Sequence, residues 1–369
     1  MSEPERTEHR TPDQPSALVG SGTARPILAD SGLRSSPIGE RILLVRLGGF
    51  GDVIFTLPAV HLLRTAFPKA QITFLVYKEF ASLLEGFTGV DAVVTLDRKR
   101  FRRLNPFIVC AEAGSLLRQL IRNRFTLTVD FQGFGETAIL SWLTRAPQRW
   151  GSVYRPRRGW AYTHAVSRNP QLHPIDYHLD LLRQAGSLDS EQVRNEFVPP
   201  EHTLREARRF FASHNLEVSR PTLFIQPFTS SEPKTWPLEN FIKTAHLWHQ
   251  RGLQVVFGGG PGEQRALEPA CAAGFAVAAG TPPLLSASLV KLSTLVLGGD
   301  TGLMHLAVAM GKRVIIIMRS VQPGACIPFR HLEWAVVPSS PALPVSAVSA
   351  ETVNLACEQA LADLGVVLS

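Results

Sequence analysis

A chain of 369 residues with 45% hydrophobic and 19% charged side chains has room for two domains, each able to bury its own core. No apolar run approaches the roughly 20 residues a membrane-crossing helix needs, and four widely spaced cysteines without a CxxC argue against zinc and for reduced thiols in a cytoplasmic protein. A net charge of +7 without a recognisable nucleic-acid motif points to an anionic acceptor or a membrane surface rather than RNA or DNA.

Residues 1–39 are rich in Ser, Pro, Arg and Glu and lack an apolar signal core, so they read as a disordered tail. From Arg41 short apolar runs alternate with longer amphipathic ones. Strands are expected at Ile42–Leu47, Ile72–Val76, Ala92–Leu96 and Phe125–Asp130, with helices at Val53–Phe67, Phe80–Phe87, Phe107–Arg122 and Thr137–Thr144. Basic runs stand at 98–103 and 155–158. The stretch 151–200 is less regular, with one helix expected at Pro174–Gln184, and Val198-Pro199-Pro200 marks a domain break. A second series follows, with strands Thr222–Gln226, Val255–Gly258, Leu295–Leu297 and Val314–Met318. Its helices are Leu238–Gln250, Gly262–Ala272, Leu285–Lys291, Leu303–Met310 and Ala350–Leu364. The expectation is α/β: two Rossmann-like doubly wound domains, at 40–200 and 201–369, facing across a cleft.

Ligands in such folds bind outside the carboxyl ends of the strands, so those loops carry the chemistry. The most informative is Gly299-Asp300-Thr301-Gly302-Leu303-Met304-His305-Leu306-Ala307, where a strand runs out and a helix begins. Free N–H groups at that helix start suit a diphosphate, with Thr301 as a candidate cap and His305 one turn further on the same face. After the first strand comes Gly48-Gly49-Phe50-Gly51-Asp52-Val53. A dinucleotide fingerprint fails there, because its third glycine position is Ile54. Asp52 reads either as a helix cap or as a carboxylate aimed at an acceptor hydroxyl. In Asp130-Phe131-Gln132-Gly133, Gln132 can bind a sugar or close a loop. Thr229, Ser230 and Lys234, just before a helix, suit a phosphate group without forming a Walker motif. Glu263, after Gly258-Gly259-Gly260, can accept from a ribose diol or complement a helix dipole.

From about Arg41 to its end the chain resembles glycosyltransferase family 9, the ADP-heptose:lipopolysaccharide heptosyltransferases. The resemblance rests on Gly51-Asp52-Val53 with Thr56-Leu57-Pro58-Ala59, Asp130-Phe131-Gln132-Gly133, His164-Ala165-Val166-Ser167-Arg168-Asn169, Lys234-Thr235-Trp236-Pro237 and the 299–307 stretch. It implies a GT-B fold with the nucleotide-sugar donor on the C-terminal domain and the acceptor on the N-terminal one. It further implies inverting, metal-independent transfer with no cofactor: Asp52 as catalytic base, with Lys234 neutralising the leaving diphosphate. Thr229, Ser230, Lys234, Glu263, Asp300, Thr301, Gly302 and His305 would bind the donor; Gly51 and Gln132 lie on the acceptor side. The implied partner is a lipid-linked or glycan acceptor at the inner face of the inner membrane.

Two positions depart from the family pattern. Many heptosyltransferases carry a lysine three residues after the Asp-x-Gln-Gly glycine, where this chain has Glu136. The family's Gly-Pro-Thr-like turn after the strand following the donor helix is here Met318-Arg319-Ser320-Val321. The alternatives are a family member with another donor or acceptor, or a non-catalytic nucleotide-sugar-binding protein; retention of both Asp52 and Lys234 counts against the latter.

Overall fold

The computed structural model describes residues 40–98, 106–189 and 192–367. The tail expected at 1–39 and most of the basic run at 98–103 lie outside the described residues.

Two six-stranded sheets lie on either side of Pro199-Pro200, and every strand pairing in both is parallel. The first has β1 (Arg41–Val45), β2 (Gln71–Tyr77), β3 (Ala92–Leu96), β4 (Leu127–Asp130), β5 (Gln148–Val153) and β6 (His164–Ser167), in the order β3-β2-β1-β4-β5-β6. The second has β7 (Thr222–Gln226), β8 (Gln254–Gly259), β9 (Ala276–Ala279), β10 (Leu295–Gly299), β11 (Arg313–Ile317) and β12 (Ala335–Val336), in the order β12-β11-β10-β7-β8-β9. Helices cover both faces of each sheet, so the central strands β1, β4, β7 and β10 are buried almost throughout. Strand order reverses between β1 and β4 and again between β7 and β10. The carboxyl ends of these four strands are therefore the topological switch points, where the crevices open.

The helix expected at Val53–Phe67 is two: α1 (Phe50–Ile54) and α2 (Leu57–Ala66). Pro58 can only sit in a first turn, and the Thr56 hydroxyl takes the Val53 carbonyl (2.7 Å) that a continuous helix would have used. Lys78–Gly86, including the helix expected at Phe80–Phe87, is 3₁₀. The helices α3 (Pro106–Arg122), α4 (Gly135–Leu143) and α5 (Pro174–Gly186) follow the expected pattern. Strands β5 and β6 were invisible as apolar runs, because Gln148, Arg149, Gly151 and Ser152 interrupt one and the other is a mostly exposed edge. In the second half, α6 (Glu201–Ser213) is an addition, strongly charged in sequence. The expected helix at Gly262–Ala272 shrinks to a 3₁₀ turn at Arg265–Leu267 and the five-residue α8 (Glu268–Ala272). Helices α7 (Leu238–Gln250), α9 (Pro283–Leu292), α10 (Gly302–Ala309) and α11 (Ala350–Asp363) fall where the periodicity places them.

The two halves are packed into each other. One hydrophobic cluster contains Val53, Ile54 and Phe55 of the first and Met304, Leu306 and Ala307 of the second. The linker residue Phe197 donates its N–H to Ala309 (2.9 Å), and Val198 donates to Gly86 (3.2 Å). Gly86 must lack a side chain, because a Cβ there would lie 2.1 Å from the Phe197 ring. Farther along the boundary Arg330 pairs with Asp176 (3.0 Å).

Candidate active site

The first of two facing loops follows β1. Gly49, at φ 84°, turns the chain into α1, a conformation that favours glycine. Asp52 therefore sits in the first turn and Gly49, not Asp52, holds the cap position. Its carboxylate curls back over Gly49, where a Cβ would be 2.2 Å from Oδ2. Arg46 Nη2 holds that same oxygen at 2.6 Å; the arginine is buried, whereas the Asp52 side chain is 43% exposed. Arg46 Nη1 also donates to the Phe131 carbonyl (3.2 Å), tying Asp52 to the end of β4. The carboxylate is thus oriented from behind and open in front.

Behind it lies a buried polar layer. Gln132 accepts the Leu47 N–H (2.8 Å), so its carbonyl closes the loop while its amide donors stay uncommitted among the described residues. Asp130 accepts from the N–H groups of Gln132 (2.8 Å) and Gly133 (3.0 Å) and from the Tyr162 hydroxyl (2.7 Å). Full burial pushes its pKa up against those hydrogen bonds, so its work is architectural. Arg168 donates to the Phe131 carbonyl (2.7 Å) and is sandwiched between Tyr154 and Tyr177, 4.0 and 4.2 Å from their ring centres. Arg46, Tyr162 and the Tyr sandwich went unread in the sequence: Tyr162 meets Asp130 from 32 positions away and Arg46 meets the Phe131 carbonyl from 85, while the Tyr154 and Tyr177 rings come onto Arg168 from two different elements.

The second loop follows β10. Thr301 has extended backbone at the cap position of α10, yet its hydroxyl makes no capping hydrogen bond and is buried without a partner among the described residues. The expected cap is therefore replaced by an unused donor–acceptor beside first-turn N–H groups that no helix carbonyl can reach. Asp300 is the hub: Lys234 Nζ reaches its Oδ2 (3.0 Å) and His305 Nε2 its Oδ1 (3.1 Å). Burial opposes ionisation of Asp300, but the hydrogen bonds and charges of His305 and Lys234 outweigh it and hold the carboxyl below its usual range. His305 is buried and tilted against Phe55, ring centres 4.9 Å apart. Lys234 closes a 3₁₀ turn at Glu232–Lys234, anchored by the fully buried Trp236, whose indole donates to the Val348 carbonyl (2.8 Å). Thr229 is spent locally, on the Ser231 carbonyl and the Thr235 hydroxyl (2.8 Å each), whereas Ser230 is exposed. Thr229 also packs so closely on Gly299 that a Cβ there would lie 2.4 Å from its methyl. Glu263 accepts the Gly260 N–H (2.6 Å), bending the 258–263 loop over the end of β8.

The two loops meet. Gly302 lies against α1, where a Cβ would fall 2.3 Å from the Phe50 ring and 2.8 Å from the Gly51 nitrogen. Cys326, missed in the sequence, lies within reach of both sides: burial foremost, then the charges of Asp300 and Asp52, push its thiol to about 11. His173 seals the rim as the cap of α5: its Nδ1 accepts the Ile175 N–H and its Nε2 donates to the Ile327 carbonyl (3.1 Å each). Burial, then the neighbouring His305, lowers its pKa to about 4, so the ring is neutral as that bonding pattern requires. Among the described residues no group of three His, Cys, Asp or Glu side chains could hold a metal, and no helix is long and apolar enough to cross a membrane.

Comparison with known proteins agrees with this architecture. The profile of glycosyltransferase family 9 (heptosyltransferase) matches residues 113–345. Lipopolysaccharide heptosyltransferase 1 of Salmonella typhimurium is 24% identical over 294 residues, covering 77% of this chain and 90% of that protein. Its Pseudomonas aeruginosa counterpart is 27% identical, covering 77% of this chain and 80% of its own length. Among solved structures, a family 9 glycosyl transferase from Veillonella parvula superposes with a TM-score of 0.80 at 20% identity, covering 88% of this chain and 98% of its own. The E. coli heptosyltransferase WaaC with ADP-2-deoxy-2-fluoro heptose gives 0.70 at 21% identity, covering 86% and 99%. The two parallel sheets, their switch-point loops and the matched profile together make this chain a glycosyltransferase, a member of glycosyltransferase family 9, the heptosyltransferases.

Proposed function

We propose that the chain transfers a heptose from ADP-heptose to a lipopolysaccharide-type, lipid-linked acceptor at the cytoplasmic face of the inner membrane, with inversion and without a metal. The observation that carries this reading is the meeting of two loops of opposite character: the open carboxylate of Asp52 on α1, and the unpartnered Thr301 hydroxyl with the free N–H groups heading α10.

In a single in-line displacement, Asp52 takes the proton of the acceptor hydroxyl as its oxygen attacks the anomeric carbon. The bond from that carbon to the diphosphate oxygen breaks, and ADP leaves. Arg46 keeps the accepting oxygens oriented. Lys234, the Thr301 hydroxyl, exposed Ser230 and the α10 N–H groups supply fixed positive charge and donors to the leaving diphosphate, the work a cation does elsewhere. Asp300 keeps Lys234 and His305 in place until the diphosphate competes for the ammonium. The second oxygen of Glu263 serves the ribose, its partner being committed to Gly260. Relatives named as heptosyltransferases, and one solved with an ADP-heptose analogue, support the donor.

The test is transfer with purified nucleotide sugars. ADP-heptose should raise the thermal midpoint more than other nucleotide sugars do, since a ligand that binds only the folded state stabilises it by mass action. It should also release ADP in the presence of a lipopolysaccharide-core acceptor. Stabilisation by a different nucleotide sugar would replace the donor; binding without turnover on any acceptor would favour a binding protein.

A further inference from the structure

The surface of the N-terminal half carries a feature that glycosyl transfer does not use. Among the described residues four aromatic side chains are exposed: Phe134 (41%), Trp142 (50%), Tyr154 (51%) and Trp160 (59%). All four lie on α4 or on the connection between β5 and β6, and they pair: Trp142 with Trp160, ring centres 5.9 Å apart, and Phe134 with Tyr154 at 5.5 Å. Ile139, also half-exposed, extends the patch along α4. Large aromatics left in water cost free energy, and a contiguous exposed apolar patch on a monomer marks an interaction site.

Charge narrows what covers the patch. Arg145, Arg155, Arg157 and Arg158 flank it, against one carboxylate on α4, Glu136. Arg145, Arg155 and Arg157 form no ion pair among the described residues, so their charge is available to an outside anion. Behind α4 the apolar surface continues inward as a hollow of about 690 Å³, where Ile139, Leu140 and Leu143 face Leu116, Leu117 and Leu120 of α3. Half-exposed tryptophans flanked by unpaired arginines match the interfacial layer of a membrane, where amphipathic rings sit at headgroup level and cations meet the anionic phosphates.

We propose that the face formed by α4 and residues 154–160 docks the protein on an anionic lipid bilayer, Trp142 and Trp160 entering the headgroup layer and the arginines meeting its phosphates. This extends the lipid-linked-acceptor reading by naming the surface that would bring the enzyme to such a substrate, and it is testable without any sugar donor.

The experiment is co-sedimentation of the full chain with vesicles of phosphatidylcholine alone or mixed with phosphatidylglycerol. The wild-type protein is expected to bind the mixed vesicles, weakly at high salt and little without phosphatidylglycerol. Trp142→Ala/Trp160→Ala should reduce that binding roughly ten-fold, and Arg155→Gln/Arg157→Gln should reduce both binding and its salt dependence. Unchanged thermal midpoints and ADP affinity certify that the variants fold; should the alanine pair not fold, Trp142→Phe/Trp160→Phe with brominated phosphatidylglycerol reads insertion as lost tryptophan quenching. No binding by the wild type, or equal binding by the variants, overturns the proposal. So does light scattering that shows a dimer which the tryptophan pair abolishes, for then a second copy covers the face. Failure here leaves donor-dependent transfer untouched, and failure of transfer leaves vesicle binding to stand by itself.

Discussion

Gly302 heads the donor-side helix α10 with no room for a methyl group, because the backbone nitrogen of Gly51 would stand 2.8 Å from it. With the Phe50 ring on the same side, that close approach leaves no slack between the two halves of the site. A Gly302→Ala variant must push α1 and α10 apart, and overpacking of this kind costs about 1–3 kcal/mol. Transfer efficiency should fall ten-fold or more, with a modest drop in thermal midpoint and ADP binding largely kept. A variant with normal kcat/KM would show that the spacing at this contact does not govern transfer.

Asp52→Ala is expected to lower kcat by about 10²–10⁴-fold, the usual worth of a general base, with ADP affinity unchanged. Arg46→Met should reproduce part of that loss, because the carboxylate loses the guanidinium that orients it at 2.6 Å. Steady-state transfer and ADP titration read both. Unaltered turnover in Asp52→Ala would remove it as the base.

Lys234→Ala removes one of the two groups that neutralise Asp300, and on the proposed function it also takes an ammonium from the leaving diphosphate. A charge-assisted hydrogen bond contributes about 1.5–3 kcal/mol, so ADP affinity should weaken by roughly 10–100-fold by calorimetry. EDTA should leave wild-type turnover as it was. Activity lost to EDTA and restored by magnesium or manganese would replace the lysine mechanism with a metal one.

His173 gives the fold a pH dependence of known sign. Its folded pKa, about 4, lies below the unfolded value of 6.5, so its contribution is complete above pH 6.5 and is lost as pH falls toward 4. The full difference is on the order of 3 kcal/mol. Asn at this cap position keeps an acceptor for Ile175 and does not titrate. Between pH 6.5 and 4 the wild type should therefore lose more stability in denaturant melts than His173→Asn. Parallel curves would show that His173 does not carry the acid sensitivity.

The class of fold and the loops of the candidate site were legible in the order of the residues. Buried parallel strands are continuous apolar runs, and the glycine-bearing ends of β1, β4, β8 and β10 and the Ser/Thr-rich end of β7 follow them directly, so those loops were legible from adjacent residues alone. Local signals failed where a strand is polar or at an edge, as in β5 and β6, and where the backbone leaves helical geometry inside a helix-like pattern, as at Gly262, whose φ of 96° falls at the start of the expected 262–272 helix. Only the tertiary structure could decide how the loops are used. It brings Arg46 onto Asp52 and Gly302 onto Gly51, leaves Thr301 unpartnered, and spends Gln132 on Leu47. Asp300 receives Lys234 from 66 positions away and Arg46 receives the Phe131 carbonyl from 85. Such contacts exist because parallel sheets place distant strand ends side by side, and nothing in the neighbouring residues encodes that meeting.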